Sequence, residues 1–167
     1  MVDGEGWINA SDLSTTDNRI EDVQRVLNEK YNNQEHISVY VKQLDTDRVA
    51  AINDEKSMYA ASIAKLGVLY YAQERLSQKK LSLSNEYQYT STVNGFPGAY
   101  DPDGSGKISK MTDDKNYSLE NLLKAVAQNS DNVATNILGY YVANQYDNSF
   151  QKSVDKASAT SWNMDKK

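Results

Sequence analysis

Residues 59–72 read YAASIAKLGVLYYA. Ser62 and Lys65 carry the plainly polar side chains of this run, and an ammonium among so many apolar neighbours is costly unless something uses it. The apolar residues predict a helix from about Ser62 to Leu76, running out in the polar SQKK at 77–80. Helical positions three apart share a face, so Ser62 Oγ and Lys65 Nζ are expected to approach each other. Burial disfavours the charged amine and lowers its pKa. Such a lysine can take the hydroxyl proton and make the serine a nucleophile without a histidine. If the serine opens the helix, the free backbone N–H groups there also suit a developing oxyanion. Ser-x-x-Lys recurs at Ser77, Ser149 and Ser153, but in polar surroundings where the lysine is simply solvated. The apolar context singles out SIAK. The plainer reading is that Lys65 runs its stem along the helix and leaves its amine in water.

A second constellation lies downstream. Leu119, Leu122, Leu123 and Val126 form one helical face with Ser118 as its cap, and Val133, Ile137, Leu138 and Tyr141 resume the pattern on another helix. Between them stands Ser130-Asp131-Asn132. Taken alone it reads as a helix–helix turn capped by Asp or Asn. Together with SIAK it supplies two of the three parts of a known catalytic signature, Ser-x-x-Lys and Ser-Asp-Asn.

On these motifs the chain resembles the serine penicillin-recognising proteins, most closely the class A β-lactamases and low-molecular-weight penicillin-binding domains. The resemblance covers roughly residues 20–165. It implies an α/β fold of the α+β type, β-lactamase/transpeptidase-like, with an all-helical subdomain and an antiparallel sheet with flanking helices. It also implies that Ser62 is the acylated nucleophile and Lys65 its proton-transfer partner. Ser130 would protonate the leaving nitrogen, Asn132 would bind the substrate amide, and Asp131 would hold the turn together. No cofactor is implied. The implied substrate is a β-lactam or a peptidoglycan stem-peptide-like molecule. The implied place is outside the cell or at the wall, as in a Gram-positive bacterium.

Composition narrows the alternatives. The chain has 167 residues, enough for one ordinary domain or a piece of a larger one. A net charge of −5 argues against a sequence-independent nucleic-acid binder, which needs a basic face. With no cysteine, disulfides, thiolate metal sites and cysteine nucleophiles are excluded. No apolar run is long enough to span a membrane. The one histidine, His36, opens a strand-like stretch, which speaks against a histidine-based triad.

Along the chain, GEGWINASDL (4–13) resembles the closing strand of an SH3-like wall-binding module, so residues 1–13 read either as the tail of such a module or as a disordered leader. Residues 14–19 are expected to be a linker, and 20–167 the N-terminal portion of a β-lactamase-like domain. IEDVQRVLNEKY (20–31) has helical periodicity, while HISVYVKQL (36–44) and RVAAIN (48–53) alternate with period two and predict a hairpin. Two strands alone are marginal in water, and residues 82–118 read mostly as loop. Only the first two sheet strands are therefore expected here.

The family's third motif, Lys-Thr-Gly or a relative, does not follow Asn132. A fragment is expected, inactive by itself and completed by a C-terminal piece of the same domain. The family's deacylating glutamate also lacks a counterpart: none occurs after Glu120, and Asp165 is the nearest substitute. This favours a penicillin-binding peptidase with slow deacylation as one alternative. A catalytically silent wall-binding module of the same fold is another. Finally, DPDGSGKI places Asp101, Asp103 and Ser105 at calcium-loop positions, but Thr112 stands where a bidentate glutamate belongs. An Asx/Gly turn is the expected explanation, with a calcium-dependent adhesion module the weakest alternative and no metal site expected.

Overall fold

The computed structural model describes residues 17–158. They fall into two units that divide between Met58 and Tyr59. Among the described residues, five α-helices and two small antiparallel sheets make the fold α+β, as expected. Among the described residues no helix is long and apolar enough to cross a membrane. The SH3-like tail expected at 1–13 and the possible base Asp165 lie outside the described residues.

In the first unit, Arg19–Tyr31 forms α1, with Glu21 and Asp22 in its first turn and Lys30 in its last, where they complement the helix dipole. Val39–Lys42 (β1) and Val49–Ile52 (β2) pair antiparallel, with Val39 opposite Ile52 and Val41 opposite Ala50. The alternation sends Ala50 and Ile52 inward against Ile20 and Leu27 of α1, while Tyr40 and Val49 face out. Gln24 locks helix to sheet: its Oε1 accepts from Ala51 N (2.8 Å) and its Nε2 donates to Ala51 O (3.0 Å). Those backbone groups would otherwise remain open to a further strand.

The second unit is mainly helical. A 3₁₀ turn, Ala61–Ala64, leads into α2, Lys65–Ser77. The expected single helix from Ser62 is thus split: Ser62 sits in the turn and Lys65 opens the α-helix. Glu86–Gln88 (β3) and Asn116–Ser118 (β4) pair antiparallel within the stretch expected to be loop. Three residues per strand, with little apolar alternation, leave almost no period-two signal. Ser118 then caps α3, Leu119–Asn129, accepting from Asn121 N as its position predicts. Next come α4, Asn132–Tyr141, and α5, Asn148–Ser158.

The core of this unit gathers Val68 and Tyr71 of α2, Leu119 and Leu122 of α3, Ile137 and Leu138 of α4, and Phe150 of α5. In α4 every residue from Asn132 to Gly139 is buried, which makes it the central helix. Gly139 is needed there, since a β-carbon would lie 2.7 Å from the Tyr146 hydroxyl and 2.9 Å from Phe96 Cζ. The two helices that carry the chemical motifs, α2 and α4, therefore pack against each other in one core.

Candidate active site

The junction of α3 and α4 is built by two neighbouring backbone conformations. Ser130 caps α3 in the left-handed region (φ 51°, ψ 41°), and Asp131 is extended and starts α4. A non-glycine residue in that left-handed region costs about 1 kcal/mol, so the turn must be over-determined by its surroundings. Asp131 does this. It is completely buried, and its carboxylate accepts from Ala134 N (2.9 Å), Lys107 N (2.6 Å) and Ile108 N (2.9 Å). Three backbone donors and a helix N-terminus satisfy a buried anion.

Two of those donors come from the DPDGSGKI loop, which straps the turn. Asn132 N donates to Ser105 O (2.8 Å) and Asn132 Nδ2 to Asp101 O (2.7 Å). The approach is close enough that a β-carbon on Gly104 would lie 2.2 Å from Asn132 Nδ2. The residues considered as a calcium loop are placed otherwise. Asp101 Oδ1 accepts from Asp103 N (2.9 Å), an Asx turn, and the Asp103 carboxylate pairs with Lys110. Ser105 contributes its carbonyl to Asn132. Among the described residues no group of three or more His, Cys, Asp or Glu side chains gathers to hold a metal ion.

Lys65 enters this turn from α2. The residue is 2% exposed, and Nζ donates to Ser130 O (2.5 Å), Ser130 Oγ (3.0 Å) and Asn132 Oδ1 (2.5 Å). The amine does not snorkel; it is buried against the Ser-Asp-Asn turn. Burial pulls its pKa below the ordinary lysine value, opposed by the negative charge of Asp131. The Tyr100 ring covers it as well, 4.8 Å from Nζ to the centroid.

Ser62 departs from expectation. It is exposed, one turn before Lys65, and Lys65 N donates to its carbonyl. Its Oγ makes no hydrogen bond among the described residues, because the Lys65 donors are all directed at Ser130 and Asn132. Ala61, just before it, has a positive φ of 46°. Such strain collects at functional sites. The structure thus brings Lys65, Ser130, Asp131 and Asn132 into one cluster with Ser62 at its edge. His36 is exposed in the first unit.

The family model for β-lactamase enzymes covers residues 18–164. The chain belongs to the β-lactamase enzyme family. Solved structures share the fold of this β-lactamase-family chain. A point mutant of PBP-A, described as its acyl-enzyme complex with penicillin G, superimposes with a TM-score of 0.65 at 14% identity, over 83% of this chain and 48% of that one. A β-lactamase from Sphaerobacter thermophilus gives 0.60 at 17% identity, over 86% and 48%. PBP-A itself gives 0.61 at 16% identity, over 71% and 43%. The chain therefore spans less than half the length of these structures. No curated protein matches it in sequence.

The sequence alone singles out neither Tyr100 nor Asn136. The DPDGSGKI stretch reads in sequence as a cation-loop candidate or an Asx/Gly turn. Its fit to a buried carboxylate 25 residues later has no local signature.

Proposed function

We propose that these residues form the proton-handling half of a serine acyl-transfer site for β-lactams or D-alanyl peptides. Lys65, as the neutral amine, takes the Ser62 hydroxyl proton while Oγ attacks the carbonyl carbon. As the tetrahedral intermediate collapses, the carbon–nitrogen bond breaks and Ser130 Oγ–H protonates the leaving nitrogen. The Lys65 ammonium returns a proton to Ser130, leaving acyl-Ser62 and a neutral amine. Asn132 keeps one amide N–H beyond the one spent on Asp101 O, and that donor is assigned to the substrate carbonyl. Water then cleaves the ester.

The observation that carries this reading is a buried lysine whose amine lies 3.0 Å from Ser130 Oγ. That is hydrogen-bond reach for proton transfer. The penicillin acyl-enzyme described for the PBP-A mutant supports the substrate class. The full activity is proposed for the whole protein, with a C-terminal part supplying the sheet strands and third motif. On this reading the protein works outside the cell or at the cell wall.

The test is intact-protein mass spectrometry of the full-length protein after exposure to penicillin G, followed by peptide mapping. An adduct on Ser62 is expected. Unmodified protein at saturating penicillin would overturn the enzymatic reading in favour of a silent wall-binding module.

A second reading is slow deacylation, for which the solved acyl-enzyme complex of the PBP-A mutant with penicillin G is the precedent. A persistent adduct with negligible turnover of a chromogenic cephalosporin supports it, and steady turnover refutes it.

A further inference from the structure

Tyr100 lies outside both motifs, yet it joins the central helix, the turn before Ser62 and the Lys65 amine. Its backbone is clamped by a single fully buried side chain on α4: Asn136 Oδ1 accepts from Tyr100 N (2.7 Å) and Asn136 Nδ2 donates to Tyr100 O (2.8 Å). Asn136 Nδ2 also donates to Asn94 Oδ1 (2.9 Å), so the clamp is braced from a second segment. At its far end, the Tyr100 hydroxyl donates to the carbonyl of Ala61, the residue before Ser62 (3.3 Å). Between these anchors the ring lies over the Lys65 amine.

A ring held at both ends over a buried amine has a physical consequence. Burial removes the water that would solvate an ammonium, and hydrogen bonds to Ser130 and Asn132 replace only its N–H contacts. The electron-rich face of an aromatic ring attracts a cation without supplying a proton acceptor or admitting solvent. An aliphatic side chain would exclude water equally well but leave the charge without that compensation.

We infer that Tyr100 is a positioning residue for Lys65, its ring face holding the amine's charge in a water-poor slot against the Ser-Asp-Asn turn. The inference rests on the reading of Lys65 as the proton acceptor. It adds a role carried by the loop between the two motifs rather than by either motif. The phenol itself is held neutral, its pKa pushed up to about 12 by burial first and by Tyr59 second. It therefore remains a donor to Ala61. The fixed charge acting on the amine is Asp131 at the start of α4, while Ser130 and Asn132 face it with dipoles.

The test follows the Lys65 Cε resonance by ¹³C NMR through a pH titration of the full chain, assigned by its loss in Lys65→Arg. Tyr100→Phe sets the reference. Phenylalanines with one to three ring fluorines then replace it, keeping the shape while draining charge from the ring face. The Lys65 midpoint is expected to fall stepwise with fluorination, by about one pH unit across the series. Melting temperatures should stay level. A midpoint that stays flat, or rises, overturns the inference. Penicillin acylation is measured separately, so a stepwise fall without any adduct would sink the proposed chemistry while leaving the ring–amine coupling in place.

Discussion

The backbone of Gly106 lies directly on the carboxylate of Asp131. A β-carbon at Gly106 would stand 2.5 Å from that carboxylate's carbon and from Oδ2, and the glycine's φ of 142° disfavours side chains. The contact lets the next two amides, Lys107 N and Ile108 N, reach the buried anion. Gly106→Ala is therefore expected to cost about 3 kcal/mol, combining overpacking with backbone strain. Urea unfolding measures it. Gly95→Ala is the control: its β-carbon would meet only Thr92 O, at 3.7 Å, and a change within about 0.5 kcal/mol is expected. Equal losses at the two sites would refute the packing account.

Lys65→Met keeps the stem and removes the donor from Ser130 Oγ and Asn132 Oδ1. Loss of a positioned acid–base group should slow acylation of the full-length protein by about 10²–10⁴-fold. Single-turnover labelling with a fluorescent penicillin reads this directly. A rate within twofold of wild type would remove Lys65 from the mechanism.

The lowered pKa of Lys65 has a thermodynamic sign. Below its folded-state pKa the amine is protonated in both states, and the cost of burying the charge is felt in full. Between that value and the ordinary lysine value of 10.5, the unfolded chain binds more protons than the native one, so stability gains with rising pH. Above 10.5 both forms are neutral and the gain is complete. The difference in unfolding free energy between wild type and Lys65→Met should therefore shift in favour of wild type through this alkaline window. Parallel curves would show that the amine is not depressed.

Asn136 tests how far the site depends on its support. Asn136→Ala leaves Tyr100 N, Tyr100 O and Asn94 Oδ1 without their shared partner, in a helix that is buried on every side. A loss of about 2–4 kcal/mol is expected in thermal or urea unfolding. Asn121→Ala, on the exposed side of α3, should stay within about 0.5 kcal/mol.

Several elements could be read directly from the sequence because their signals are local. Ile20, Val23 and Leu27 mark α1 by period, and the alternation at 39–52 marks the hairpin. Ser118 marks a helix start by its capping chemistry. The β3–β4 ladder escaped because three-residue strands such as EYQ and NYS carry too few positions to show a period.

The same division runs through the site. The sequence by itself determined that a lysine sits among apolar residues beside a serine, and that a Ser-Asp-Asn turn joins two helices, because burial cost and helical spacing are properties of neighbouring residues. Only the tertiary structure decided where the amine's three donors go: to Ser130 and Asn132, not to Ser62. It also decided that DPDGSGKI grips a carboxylate and that Tyr100 roofs the amine. Those contacts join residues 23 to 67 positions apart, and the free energy of burial that selects them exists only once α2, α4 and the strap have packed together.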